Sequence, residues 1–315
     1  MILQLILLVV GLAMIVLGAD FLVDGASAVA RRFKISEFVI GLTIVGFGTS
    51  CPELVVSVTG ALAGSSDISI GNVVGSNIFN SLLILGVTAV IAPLAITSEN
   101  KKIDIPIVLA ASALMILLGM KHTLFGIGED RLSRIEGILF LLLFAGYLIF
   151  CFKNGSAVEE SKSRPMQMPK AVILVLAGLA GLIFGGNLFV DSATSIARQI
   201  GVSDKVIAIT LLAGGTSLPE LATCIVAAAK KQGQLALGNI LGSNVFNILL
   251  ILGISATISP LSFANMNLVD MGILVLSSLL ILTAAFTGKK NVLDRFDGTV
   301  MLLFEAAYMV YLFLA

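Results

Sequence analysis

The chain has 315 residues, 58% of them hydrophobic and 12% charged, with a formal net charge of zero and a mean hydropathy of +1.08. Such a composition excludes a soluble globular domain, and without a basic block there is no electrostatic footprint for nucleic acid. Cys51, Cys151 and Cys224 are odd in number and set in apolar sequence, so they read as small core residues rather than a disulfide framework.

Apolar runs of about 18 residues or more recur along the whole length, the pattern of an all-α membrane protein. Ten transmembrane helices are expected, at 2–30, 36–63, 68–93, 103–120, 132–152, 171–198, 204–229, 235–260, 268–286 and 295–314. The first begins MILQLILLVV, with neither a basic start nor a small-residue cleavage site before Asp20, and is expected to stay in the mature protein.

The second span carries GFGTSCPELVVS at 46–57, and the seventh carries AGGTSLPELATC at 213–224. An offset of 167 relates Thr49 to Thr216, Glu53 to Glu220, Asn72 to Asn239 and Asn80 to Asn247. Between 68–93 and 235–260, 15 of 26 positions are identical without a gap, so the chain is an internal duplication. RIEGILFLLLFAGY at 134–147 and RFDGTVMLLFEAAY at 295–308 extend it at an offset of 161.

The expected organisation is a first five-helix repeat at 1–152, a cytoplasmic linker at 153–170 and a second five-helix repeat at 171–315. Five is odd, so the second repeat must enter from the opposite face, giving two inverted repeats. Of the 19 basic residues, alternation places five on the side holding the termini and fourteen, among them Arg31, Arg32, Lys101, Lys102 and Lys230, on the other. By the positive-inside rule both termini are extracytoplasmic, in an inner membrane. Asp20, Asp24 and Asp191 read as interfacial charges at cytoplasmic span ends, and His122 as a loop residue.

Thr49, Glu53 and Ser57 fall at i, i+4 and i+8 and share a helix face. Pro52 removes a backbone donor and clashes with the preceding turn, and Gly46 and Gly48 weaken that turn further, so the helix should break there. Pro219, Gly214 and Gly215 repeat the arrangement. Broken helices at matching positions of two repeats point to a substrate site at mid-membrane. Asn72, Ser76 and Asn80, with Asn239, Ser243 and Asn247, supply a second wall, beside the close-packing pairs Gly71/Gly75 and Gly238/Gly242.

Two carboxylates with hydroxyl, amide and carbonyl oxygens suit hard cations and disfavour zinc or copper. The bland alternative, helix glue, is weak for Glu53 and Glu220 but carries weight for the Asn and Ser rows. Glu305 lies inside span 10 without an acidic repeat counterpart. An intramembrane hydrolase using Ser50 or Ser217 lacks a His or Lys base in the spans. The chain is read as a transporter and not an enzyme.

GTSCPELVVS…GNVVGSNIFN and GTSLPELATC…GNILGSNVFN resemble the two α-repeats of the sodium/calcium exchangers, in the calcium/cation antiporter superfamily. The resemblance covers essentially the whole chain and implies an antiporter exchanging sodium for calcium by alternating access, with spans 1 and 6 sliding past a core of the other eight. It implies Glu53 and Glu220 as shared central ligands, Thr49, Ser50, Thr216 and Ser217 as hydroxyl and carbonyl ligands, and Ser76 and Ser243 as flanking hydroxyls. Gly46 and Ala213 match positions that offer backbone carbonyls, and Asn80 and Asn247 complete the set.

Some members, including potassium-dependent ones, carry Asp at one of the last two places; Asn at both weakens a potassium requirement. The calcium/proton exchangers, the alternative on the same scaffold, typically carry an acidic residue soon after the Gly-Asn, where this chain has Val74–Gly75 and Leu241–Gly242. The eukaryotic exchangers' calcium-sensing loop is absent. The implied partners are transported calcium and sodium ions and membrane lipid, with no resident cofactor and a monomer as the expected unit.

Overall fold

Two helices of 32 residues, α1 (Ile2–Phe33) and its repeat counterpart α8 (Met168–Gln199), lie antiparallel against each other. At 1.5 Å per residue each is about 48 Å long, more than a hydrocarbon core of about 30 Å requires. Their contact is a glycine seam: a Cβ added at Gly18 would meet Gly178 O at 2.8 Å, and one at Gly11 would meet Gly185 O at 2.9 Å. Backbones that close gain dispersion contacts that larger side chains would prevent, which matters where lipid removes the hydrophobic drive between helices. The seam is also reciprocal, since Gly185 and Gly178 are Gly18 and Gly11 advanced by 167.

The computed structural model describes residues 1–154, 166–202, 213–287 and 291–314. After α1 come α2 (Glu37–Thr49), α3 (Cys51–Leu62), α4 (Ser66–Ile91), α5 (Asn100–Gly119), the short α6 (Lys121–Phe125) and α7 (Arg134–Asn154). Beyond α8 follow a helical turn at Ala213–Gly215, then α9 (Leu218–Ala229), α10 (Gly233–Ile258), α11 (Leu268–Phe286) and α12 (Arg295–Leu314). Among the described residues, eight helices are long and apolar enough to cross a membrane, and the bent pair α2/α3 makes a ninth span. The expected span at 204–229 is described only from residue 213, where α9 has 12 residues; 203–212 lie outside the described residues, as do 155–165 of the expected linker.

The break expected at Pro52 is present as a 51° bend between α2 and α3 at Ser50. Pro52 occupies the second position of α3, where no intrahelical donor is needed. In the second repeat Pro219 takes the same place in α9. Wider π-helical turns interrupt α2 at Gly41–Val45, α4 at Asn80–Ile84 and α10 at Phe246–Ile251. Such turns rotate the helix register and are frequent at functional sites; two of them contain Asn80 and Asn247.

The centre is formed by α10 and α4, whose most apolar windows are 94% and 67% buried, against 22% for α1 and 28% for α8. The final halves of α4 and α10 are clasped by α12 and α7 respectively, each from the other repeat, with Gly298 against Gly86 O and Gly137 against Gly253 O. Four two-residue strands exchange in the same way. β1 (Leu94–Ala95) pairs with β4 (Val292–Leu293), and β2 (Arg131–Leu132) pairs with β3 (Leu261–Ser262).

The two glycine pairs on α4 and α10 differ. Gly238 and Gly242 are buried against Phe38 and Leu42, whereas Gly71 and Gly75 are exposed. The three cysteines are free, Cys151 and Cys224 buried and Cys51 half-buried. His122 is exposed in the α5–α7 connection, its backbone N–H donating to Asp130 at 2.8 Å.

Candidate cation site

The two breaks bring Glu53 and Glu220 into the interior, each 1% exposed. Ser50, at the bend, donates its hydroxyl to Glu220 Oε1 at 2.9 Å, and Ser217 donates to Glu53 Oε1 at 3.2 Å. These crossed bonds are related by the 167 offset, so each repeat's hydroxyl holds the other's carboxylate. Neither carboxylate has a basic partner: the ion pairs among the described residues are Lys121 with Glu136, Arg131 with Glu129, and Lys230 with Asp20 and Asp24.

The second wall forms where α4 crosses α10. Asn80 Nδ2 donates to Asn244 Oδ1 at 3.1 Å, and Asn247 Nδ2 donates to Asn77 Oδ1 at 2.9 Å. Asn77 Nδ2 reaches Asn244 O at 3.1 Å, and Asn244 Nδ2 reaches Ser81 Oγ at 2.9 Å. Spending the two NH2 groups on the crossing leaves the Oδ1 atoms of Asn80 and Asn247 buried with no partner. Buried without partners as well are Glu53 Oε2, Glu220 Oε2, Ser76 Oγ, Ser243 Oγ and Thr216 Oγ1. A buried polar atom without a partner costs about 1–3 kcal/mol, and an unpaired buried charge costs several. Seven such oxygens, all on residues expected as ligands, form an acceptor-rich cage suited to a hard cation.

The other expected ligands are engaged. Thr49 donates to Asn239 Oδ1 at 3.2 Å, which leaves its oxygen lone pairs available, and Gly46 O accepts from Ser50 N at 3.1 Å. Ala213 lies on the helical turn before Ser217, and its side chain is outside the described residues. Asn72 serves as helix glue, donating to Glu53 O at 3.1 Å and to Ser57 Oγ at 2.9 Å. Its counterpart Asn239 donates to Cys224 Sγ at 3.3 Å, a sulfur standing where Ser57 has oxygen. Among the described residues no group of three or more His, Cys, Asp or Glu side chains could hold a metal.

A cavity of about 160 Å³ approaches the pair from one side, lined by Pro52, Ile183, Asn187, Asp191, Thr216 and Pro219. Subtracting 167 places its mirror at Ala19, Asp20, Val23, Asp24 and Thr49, where Ala19, Val23 and Thr49 are 0% exposed and Asp20 and Asp24 are half-buried, so the opposite approach is more closely packed around the pair. Asp191 is thereby corrected from the expectation. Because α1 and α8 are antiparallel, it stands at the opposite end from Asp20 and Asp24 and opens into this vestibule. Asn77 and Asn244, absent from the expected ligand set, carry a sequence signal of their own: an Asn follows each site serine, in GSN repeated at the same offset.

A helical membrane protein with paired, counterion-free carboxylates at crossed helix breaks is by architecture a cation carrier. A family model described as "Sodium/calcium exchanger protein" matches residues 3–153 and 170–314, and the chain belongs to that family of cation/calcium antiporters. It is 34% identical to the sodium/calcium exchanger MaX1 of Methanosarcina acetivorans over 98% of both chains. With the inner membrane protein YrbG of Escherichia coli it shares 36% identity over 82% of this chain and 81% of that one. A solved structure of the sodium-calcium exchanger NCX_Mj, soaked with Na+ and Sr2+, superposes with a TM-score of 0.85 at 35% identity, covering 98% of each chain. MaX1 and NCX_Mj are described as exchangers, and the chain, as a member of that antiporter family, is not an enzyme.

Proposed function

We propose that the protein exchanges sodium for calcium by alternating access, using one central site on Glu53 and Glu220 flanked by Ser50, Ser217, Thr49, Thr216, Ser76, Ser243, Asn80, Asn247 and the carbonyls of Gly46 and Ala213. One observation carries this reading: two buried carboxylates have no basic partner among the described residues, and seven buried oxygens of the expected ligand set, their own Oε2 atoms included, have no hydrogen-bond partner. Calcium, or several sodium ions, would neutralise both carboxylates and fill those acceptors. The empty site would hold two bare charges in a medium where each costs several kcal/mol, which would resist the conformational step.

The architecture proposed is ten spans in two inverted repeats, at 1–152 and 171–315, joined by a cytoplasmic linker. Reciprocal contacts support the two-fold relation, and antiparallel packing of the equivalent helices α1 and α8 supports inversion. Spans 1 and 6, held together by their glycine seam, would slide as a pair past the rest. With fourteen basic residues facing the cytoplasm, the termini would be extracytoplasmic and the vestibule beside Asp191 would open outward. The bacterial relative described as an inner membrane protein supports that location.

Calcium-45 uptake into proteoliposomes at fixed pH tests the coupling ion. Uptake dependent on internal sodium supports the proposal. Uptake driven by an outward proton gradient without sodium would transfer the chain to the calcium/proton branch.

A further inference from the structure

The two ends of the duplicated scaffold are fastened differently. At the more closely packed end, Lys230 Nζ lies 2.7 Å from Asp20 Oδ1 and 2.6 Å from Asp24 Oδ1, and it reaches Asp20 O at 3.3 Å. One turn further along α1, Ser27 donates to Gln232 Oε1 at 2.8 Å. Both bonds join α1 to the tight turn at 230–232 between α9 and α10, where Lys231 has a φ of 62°.

Among the described residues, the symmetry-related end has the parts but not the fastening. By the 167 offset, Asp24 corresponds to Asp191, Asp20 to Asn187, Ser27 to Thr194, Lys230 to Ala63 and Gln232 to Ser65. Ala63 supplies no cation, Asp191 forms no ion pair among the described residues, and Thr194 Oγ1 is buried without a partner. Asn187 and Asp191 are exposed into the open vestibule.

We infer that Lys230 with Asp20 and Asp24 forms a one-sided latch, fastening α1 to the scaffold only while the Lys230 face is closed. It thereby sets unequal apparent calcium affinities at the two faces. The inference rests on the proposed sliding of α1 and α8, since a latch between parts that do not move would bias nothing. A ligand's apparent affinity at one face is its intrinsic affinity reduced by the fraction of molecules open to that face. Stabilising one closed end therefore weakens binding at that end and strengthens it at the other. Lys230 acts through helix position and touches no ion, so it is a positioning residue.

Partly exposed ion pairs contribute modestly, and two carboxylates on one ammonium correspond to about a fivefold bias. The experiment is calcium–calcium self-exchange, which needs no sodium, in oriented vesicles of both polarities. The Lys230 face is identified by impermeant thiol labelling of Lys231→Cys. Half-saturating calcium is measured at each face. Lys230→Ala should lower the value at the Lys230 face about fivefold relative to the opposite face, and Asp24→Asn should shift it in the same sense. Lys230→Arg should retain the wild-type ratio. Ala63→Lys, which supplies the missing cation opposite Asp191, should move the ratio in the same sense as Lys230→Ala. A ratio unchanged in Lys230→Ala, or changed equally in Lys230→Arg, overturns the latch. Because self-exchange reads the latch without sodium, failure of sodium coupling would overturn the transport assignment alone.

Discussion

Replacing Asn244 with Ala tests whether the α4–α10 crossing positions the site. The side chain of Asn244 accepts from Asn80 Nδ2 and donates to Ser81 Oγ, while its backbone oxygen separately accepts from Asn77. Truncation removes the first two bonds and keeps the third, so the crossing persists while the Asn80 amide loses its anchor. A buried NH2 left without an acceptor costs about 1–3 kcal/mol. The amide can recover part of that by rotating, which takes its Oδ1 out of the cage. If about 2 kcal/mol of positioning is lost from calcium binding, affinity falls about thirtyfold. Asn77→Ala should act comparably, because it frees Asn247 in the mirror arrangement. Half-saturating calcium in self-exchange is the assay, with size-exclusion behaviour as the check on folding. Half-saturation within threefold of wild type in a well-folded Asn244→Ala protein would refute the positioning role.

Other outcomes follow from the same geometry. Ser50→Ala removes the hydroxyl on Glu220 and should weaken calcium binding about tenfold, matched by Ser217→Ala; a large effect from only one would contradict the crossed arrangement. Gly18→Leu drives a side chain into the Gly178 backbone and should stop exchange while calcium still binds, as read by isothermal titration. Glu305 is 3% exposed with Oε2 unpartnered, and Phe144 occupies its place in the first repeat. Glu305→Leu should therefore raise thermal stability, by about 1–3 kcal/mol in detergent, without loss of calcium binding; a lower melting temperature would contradict this.

Much of this was legible in the chain because duplication makes function visible twice. Glu53 and Glu220 stand out as charges in apolar runs, Pro52 and Pro219 mark the breaks, and the paired oxygens follow from the 167 offset. Other features depend on what lies across an interface. Asn77 and Asn244 resemble ordinary helix residues until α4 meets α10, since their partners sit more than 160 residues away. Asp20 and Asp24 read as interfacial charges because Lys230 approaches only in the folded chain. Asp191 needed no partner to be placed: five spans per repeat already run span 6 against span 1, so the counterpart of Asp24 lies at the opposite face, as the antiparallel packing of α1 on α8 agrees. Gly238 and Gly242 are covered by Phe38 and Leu42, whose counterparts beside Gly71 and Gly75, at 205 and 209, lie outside the described residues.

Sodium-driven calcium-45 uptake by the Glu53→Gln and Glu220→Gln proteins addresses the central claim most directly. Each change keeps the size of the side chain and removes one of the two charges that a cation would neutralise. Both variants should lose uptake while remaining folded and monodisperse. Wild-type uptake in either would contradict a shared site built on the two carboxylates.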